Sequence, residues 1–224
     1  MTARLRARAL GAGRGDGRGI AIPLALRPAA RIQERDWEDF TQDPTQLANG
    51  LRDLYDAIQP DGLAVTSAQL LTEQAGTSIT AGTHGRAAVE AARRLRSSLG
   101  DRAALVACLP GPEPLAAATG LTAEAAVEQV LSIGKEFLGA GVDVLLLFEG
   151  DDGSPQALNT LNNIARFHQA VVAVAGEARS PFLGARPSSL QDPQTAPGLV
   201  ISDCEITRAV DITDLKDWVI AVRA

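Results

Sequence analysis

Residues 104–150 read ALVACLPGPEPLAAATGLTAEAAVEQVLSIGKEFLGAGVDVLLLFEG, and this stretch decides the fold. An apolar run at 104–110 is followed by an Ala-rich amphipathic segment at 122–141 and by a second apolar run at 142–150. Strands that are apolar throughout are covered on both faces, as in a parallel sheet with helical crossovers. The stretch therefore predicts a β-α-β unit.

The same alternation continues in both directions along the chain. Further strands are predicted at 20–26, 62–68, 170–176 and 198–206, and further helices at 44–59, 84–100, 154–168 and 212–224. Asp43 and Pro44 are typical of a helix start and Gly100 of a helix end, while Thr122 and Ser154 are suited to N-caps. Regular alternation predicts a parallel sheet, which closes either as an open doubly wound sheet or as a (β/α)₈ barrel.

Composition narrows the class of protein. The chain has 224 residues, of which 46% are hydrophobic and 21% charged, as in a globular domain and unlike a disordered chain. The formal net charge of −6 argues against nucleic-acid binding. Two cysteines are too few for a disulfide framework, and the apolar runs are too short to span a bilayer, so we expect a cytoplasmic protein without membrane contact. We expect a flexible Arg/Gly-rich tail at 1–19 and one barrel-like domain at 20–224.

Several common motifs are excluded. The Gly-rich segment 11–17 precedes the first strand, which is the wrong place for a dinucleotide fingerprint. The sequence has no P-loop, no G-x-S-x-G and no H-E-x-x-H. It contains only two histidines, which leaves out a three-His metal site.

Five segments of the sequence together carry a resemblance to a known family. The first is the opening of the chain with the loop Arg27-Pro28-Ala29-Ala30-Arg31. The other four are DPTQLANGLRDLYDAIQPDGLAVTSAQLLTEQAG, AALVACLPGPEPLAAATG, SIGKEFLGAGVDVLLLFEGDDG and GLVISDCEITRAVDITDLKDWVIAVRA. They resemble the uroporphyrinogen decarboxylase superfamily, whose TIM barrels include cobamide-dependent methyltransferases and cobalamin-independent methionine synthases, and whose first strand leads into an Arg-x-Ala-x-Arg loop. The resemblance covers 8–176 and 198–224 and implies an α/β TIM-barrel-like fold, reduced or incomplete around strands six and seven.

The sequence departs from both branches of that family at functional positions. Ala68 stands where the decarboxylase branch has its catalytic Asp, and Cys204 replaces the histidine after the last strand. Cys204 matches the late zinc cysteine of the methyltransferase branch, but the middle strand, Val174-Ala175-Gly176, offers no ligand. We therefore predict no metal and no cofactor, with zinc as the alternative.

Two groups of charged residues follow predicted strands. Arg27 and Arg31 can clamp a carboxylate or phosphate in a bidentate fork, and the resemblance implies that such a pair binds substrate carboxylates. The alternative is surface pairing with nearby acids. Glu149, Asp151 and Asp152 crowd the end of another strand, where like charges raise each other's pKa. We predict catalytic roles for Glu149 and Asp151, with a solvated acidic loop as the alternative.

The remaining candidates also come from strand ends, where barrel active sites lie. Ser67 and Gln69 are predicted to bind substrate, and Cys204 to act as a weak acid or single metal ligand. Its neighbours Asp203 and Glu205 should raise the pKa of the thiol. A buried structural cysteine is the competing interpretation.

Three functions from two classes are consistent with these features. The first is a metal-independent lyase, a decarboxylase acting on a small carboxylated molecule held by Arg27 and Arg31, with proton transfer by Glu149. The second is a methyl or alkyl transferase that uses Cys204 in an atypical metal site. The third is a non-catalytic binding or partner subunit, since a shortened barrel exposes strand edges. We expect a homodimer or a second chain that completes the barrel.

Overall fold

The computed structural model describes residues 1–73, 79, 82–149, 155–176 and 182–224, and for 155–157 it describes the backbone alone. The strands are Gly19–Ile22 (β1), Gly62–Thr66 (β2), Ala104–Pro110 (β3), Val144–Phe148 (β4), Val171–Ala175 (β5), Leu183–Ser188 (β6) and Gly198–Ser202 (β7). The helices are Ala3–Gly11 (α1), Leu26–Ile32 (α2), Trp37–Gln42 (α3), Pro44–Ile58 (α4), Ala68–Glu73 (α5), Thr83–Leu99 (α6), Pro112–Thr119 (α7), Ala123–Gly139 (α8), Pro155–Phe167 (α9) and Ile212–Arg223 (α10).

The strands form one seven-stranded sheet in the order β1-β7-β6-β5-β4-β3-β2, and every neighbouring pair is parallel. This sheet curls into a nearly closed barrel that alternates with helices, so the chain has an α/β TIM-barrel-like fold. The predicted fold class is therefore confirmed, including its reduced size. No helix in the described part of the chain is both long and apolar enough to cross a membrane.

The barrel wall is not hydrogen-bonded between β1 and β2, which are the two ends of the strand order. The carboxylate of Asp61, just before β2, bridges this gap by accepting the Ala21 N–H at 3.1 Å. The same carboxylate accepts Arg6 Nη1 at 3.1 Å and Arg223 Nε at 2.8 Å. The Ile22 side chain of β1 also packs closely against the backbone of Gly62 in β2, where an added Cβ would lie only 2.6 Å from Ile22 Cγ1.

Alternation along the strands divides the apolar side chains into two cores. One set fills the barrel and includes Ile22, Val106 and Leu146. The other set faces outward against the helices and includes Leu63 and Leu145. The outer core explains why the strands read as continuous apolar runs.

The N-terminal segment differs from the predicted flexible tail. Residues 3–11 form α1, whose Ala7 is buried with the residues that fill the barrel. Arg4 Nε donates to the fully buried Asp143 at 2.8 Å, and Asp143 also accepts the Leu105 N–H at 3.0 Å. Arg4, Arg6 and Arg8 of this segment therefore bind carboxylates at the amino ends of the strands, and α1 closes that end of the barrel.

The region between the fifth predicted strand and the last is reduced, as predicted, but it keeps one strand that the sequence did not indicate. It contains β6, which pairs with β5 and with β7. Its sequence, LGARPS, carries Gly, Arg and Pro and has only two fully buried residues, so it lacks the apolar run that identified the other strands. Residues 189–197 connect β6 to β7 without a helix.

The first predicted strand extends too far. β1 ends at Ile22, and Leu26 begins α2, so Arg27 and Arg31 lie on a helix and not in a loop. Several predicted helix ends are confirmed. Asp43 caps α4 by accepting the N–H groups of Thr45 and Gln46, Thr122 caps α8, and Gly100 ends α6. Ser154, the predicted cap of the next helix, lies outside the described residues.

Candidate functional site

A cavity of about 310 Å³ opens at the carboxyl ends of the strands, where active sites of such barrels lie. Its polar walls come from the ends of β2 and β7, and its apolar walls come from the barrel interior. The lining includes Leu24, Ala64, Thr66, Ser67, Gln69, Cys108, Phe148, Ile201, Ser202, Asp203, Cys204 and Glu205. A site that is mainly apolar with a few polar groups suits a small organic molecule.

The turn after β7 brings Asp203, Cys204 and Glu205 to this cavity. Burial raises the pKa of the Cys204 thiol, and so do a hydrogen bond to the Asp203 side chain and the negative charges of Asp203 and Glu205. The predicted direction is therefore confirmed. At neutral pH Cys204 keeps its proton and presents a thiol, not a thiolate.

Cys108 lines the same cavity from β3 but is fully buried. Burial raises the pKa of this thiol far above the ordinary range. Both cysteines are free, so no disulfide joins them. Cys108 behaves as a small apolar residue of the barrel interior.

The structure brings Ser67 and Gln69 to the cavity together with Cys204. The Ser67 hydroxyl accepts the Leu70 N–H at 3.4 Å, at the start of α5. The Gln69 amide donates to Glu73 at 2.7 Å. The placement of these side chains agrees with the prediction, while their substrate-binding role stays a prediction.

Arg27 and Arg31 do not line the cavity. The buried residues of α2 are Leu26, Pro28, Ala29 and Ala30, which leaves both arginines on the face that points away from the core. The Arg27 guanidinium stacks 4.4 Å from the Trp37 ring centre, and Arg31 Nη1 donates to the Arg208 carbonyl at 2.7 Å. A helix replaces the predicted loop, and it turns both guanidinium groups toward other partners.

Glu149 also lies beside the cavity and not in its wall. Its carboxylate packs directly against the backbone of Gly111, where α7 begins, and Glu149 Oε1 accepts the Glu113 N–H at 3.4 Å. A carboxylate at a helix N-terminus is stabilising, so this contact gives Glu149 a structural use. Asp151 and Asp152 lie outside the described residues.

Sequence reasoning did not single out Thr66, which forms a buried pair with His84. The Thr66 hydroxyl lies 2.8 Å from His84 Nε2, and His84 Nδ1 lies 2.9 Å from the Thr41 carbonyl. Burial lowers the pKa of His84, so the ring is neutral. Since a carbonyl only accepts, Nδ1 carries the proton and Thr66 donates to Nε2. The sequence did carry a signal for Thr66, because it is a polar residue at the end of the apolar strand β2.

The zinc alternative finds no ligand set in the described residues. No three His, Cys, Asp or Glu side chains there form a group that can hold a metal ion. Zinc sites in proteins use three or four such ligands. The described side chains therefore do not fit a zinc centre, and the chemistry proposed below uses the chain's own groups.

Structure comparison finds similarity to solved structures of very different sequence. A methyltransferase from Methanosarcina mazei superposes with a TM-score of 0.73 at 14% identity, with 99% of this chain and 98% of that chain covered. A protein from Aquifex aeolicus VF5 gives a TM-score of 0.49 at 11% identity, with 98% of each chain covered. A rubisco-like protein from Burkholderia fungorum gives 0.42 at 12% identity, with 79% of this chain and 36% of that chain covered. No protein-family model and no curated protein matches the sequence.

The first of these comparisons supports a shared barrel fold, and the identity is too low for it to show more. The chain is thus a barrel protein of the TIM-like class with a small cavity at the carboxyl edge of its sheet.

Proposed function

We propose that this chain is a methyl- or alkyltransferase that binds a small neutral or cationic molecule in the barrel cavity, beside Cys204. One observation carries the proposal. Among the described residues that line the cavity, the charged ones are Asp203 and Glu205, while Arg27 and Arg31 lie elsewhere. The fold shared with a methyltransferase agrees with this proposal without deciding it.

The charge of the cavity favours such a ligand over a carboxylate. Two acidic side chains in a mainly apolar enclosure attract cations and repel anions, and the apolar walls weaken screening by water. The decarboxylase hypothesis needs arginines to hold a substrate carboxylate, and it is therefore not the function that the geometry favours.

Cys204 acts in this proposal as a positioned thiol. Because its pKa is raised, Cys204 remains protonated at neutral pH and donates its proton to Asp203, so that its sulfur contacts the bound molecule as a weak acceptor. The attacking group then comes from a second substrate, such as a free thiol. The cavity contributes binding and orientation, which lower the barrier by holding the two reacting groups together.

A model reaction tests the proposal directly. Isotopically labelled trimethylsulfonium is mixed with 2-mercaptoethanol, and NMR follows the products. The thiolate of mercaptoethanol forms a bond to a methyl carbon as the carbon–sulfur bond of the sulfonium breaks, which yields dimethyl sulfide and the S-methylated thiol. We expect the protein to accelerate this transfer, and we expect Cys204→Ala and Glu205→Gln to slow it.

A matched binding pair separates charge from size. Tetramethylammonium and pivalate have similar shapes and opposite charges, and isothermal titration compares their affinities. We expect the cation to bind more tightly, and Asp203→Asn to reduce that preference. Asp56→Asn is the control, because Asp56 is exposed on α4 and does not line the cavity. Equal binding of the two probes, with no acceleration of methyl transfer, would refute the proposal, whereas selective binding without transfer would identify a binding protein.

A further inference from the structure

Ser202, the last residue of β7, connects the cavity to the Cys204 turn. It is buried and lines the cavity. Its hydroxyl oxygen accepts the Leu24 N–H at 3.0 Å and donates its proton to the Cys204 carbonyl at 2.8 Å. The single hydroxyl proton is therefore committed to the backbone of the residue whose thiol faces the cavity.

The turn is held at both of its ends as well. The Asp203 N–H donates to the Ser188 carbonyl of β6 at 3.1 Å, and the Ile206 N–H donates to the Leu24 carbonyl at 2.8 Å. Ser202 directly precedes the first of these anchors, and its hydroxyl holds the Cys204 backbone. The chain from 202 to 206 is thus fixed against β6 on one side and against the segment after β1 on the other.

We propose that Ser202 is a positioning residue, whose hydroxyl holds the Cys204 thiol at the cavity wall and sets how readily that thiol reacts. This inference rests on the proposed function, which is what makes the Cys204 thiol part of the site. The contacts that carry it are independent of which reaction occurs.

Loss of the hydroxyl has a defined chemical consequence. The Leu24 N–H and the Cys204 carbonyl lose their partner, and a buried polar group without a partner favours rearrangement. As the turn relaxes, the thiol moves away from the Asp203 and Glu205 carboxylates, which now help to raise its pKa. The pKa then falls toward its ordinary value, and more thiolate is present at neutral pH.

The experiment measures the alkylation rate of Cys204 by iodoacetamide over a series of pH values, with peptide mass spectrometry to assign the site. We expect Ser202→Ala to increase the rate at pH 7.5 by roughly three- to tenfold and to move the midpoint of the rate profile to lower pH, because the thiolate is the nucleophile. Ser202→Thr keeps a hydroxyl and should restore the original profile.

Ser188→Ala is the matched control. Ser188 is also buried, and it pairs with Ser202 in the register of β6 and β7. Its hydroxyl accepts the Gln194 N–H at 2.9 Å and makes no hydrogen bond to Cys204, while its backbone carbonyl is unaffected by the substitution. We expect this variant to lose comparable stability and to leave the Cys204 profile unchanged.

Two results would overturn the inference: an unchanged Cys204 profile in Ser202→Ala, or the same change in Ser188→Ala. The outcome is separable from that of the proposed function. If the wild-type chain transfers no methyl group while Ser202→Ala still changes the thiol, the positioning role stands and the transferase proposal fails. If methyl transfer occurs and the thiol profile does not respond to Ser202, only the positioning role fails.

Discussion

Replacement of Asp61 by alanine tests how the gap in the barrel wall is closed. Asp61 is the acceptor for the Ala21 N–H of β1 and for two arginines, Arg6 from α1 and Arg223 from α10. Its side chain is 7% exposed, while those of Arg6 and Arg223 are 12% and 33% exposed. One carboxylate therefore joins β1, β2 and both ends of the chain.

The magnitude follows from these contacts. A buried N–H that loses its partner costs about 1–3 kcal/mol. Removal of one partner from a buried ion pair costs about 3–5 kcal/mol, and we take this range as the total because it already includes the groups left unpaired. The pair with Arg223 contributes least, since water screens this more exposed arginine. We expect Asp61→Ala to lower the free energy of unfolding by about 3–5 kcal/mol. Asp61→Asn keeps an acceptor oxygen and should lose roughly half of that.

Urea unfolding followed by circular dichroism measures the difference, provided that the m-value is unchanged. Asp101→Asn is the control, because Asp101 pairs with Arg4 at 2.7 Å on the surface, and we expect little change there. A loss below about 1 kcal/mol in Asp61→Ala would refute the reasoning, since it would mean that the gap is closed by side-chain packing and not by Asp61.

Three further outcomes are expected. Gly62→Ala places a methyl group 2.6 Å from Ile22 Cγ1 across the same gap, and it should lower the free energy of unfolding in urea by about 1–3 kcal/mol. An unchanged free energy of unfolding would mean that the two strands move apart freely. His84 has a lowered pKa in the folded state, so as the pH falls the unfolded state binds the extra proton first. The free energy of unfolding should therefore decrease as the pH falls below about 6.5, by at most about 1.4 kcal/mol per pH unit. This decrease should be weaker in His84→Asn, and equal pH dependence of the two proteins would contradict a buried neutral ring. In the native protein a thiol reagent such as DTNB should modify Cys204 and spare Cys108 until urea is added, and rapid labelling of both would show that Cys108 is accessible.

Local sequence signals predict much of this fold. The helices α4, α6 and α8 follow from caps and apolar periodicity, which act over a few residues. Helix α1 does not, because its arginines are stabilised by Asp61 and Asp143, carboxylates that lie far away in the sequence. Strand β6 is missed for a similar reason. Its residues are held between β5 and β7 by backbone hydrogen bonds and carry no apolar alternation of their own.

In the candidate site, too, some residues could be placed from the sequence and others could not. Ser67, Gln69 and Cys204 reach the cavity because a parallel barrel gathers the residues that follow its strands. Arg27 and Arg31 do not, because the chain turns into a helix a few residues after β1 and helical rotation decides where they point. Ser202 and Thr66 belong to strands by sequence, and only their hydrogen bonds show that they hold neighbouring groups.

The pairing of β1 with β7 has a consequence for biosynthesis. Gly19 lies opposite Gly198, so the first strand of the barrel obtains its hydrogen-bonding partner from residues that are translated after all of the other strands. Until then β1, with Ile20 and Ile22, has no hydrogen-bonded neighbour, and an unpaired apolar strand is a hazard for association between nascent chains. A chain that stops before residue 198 leaves β1 without a hydrogen-bonded neighbour and one edge of β6 open, and it should be recovered as aggregate and not as a smaller soluble barrel.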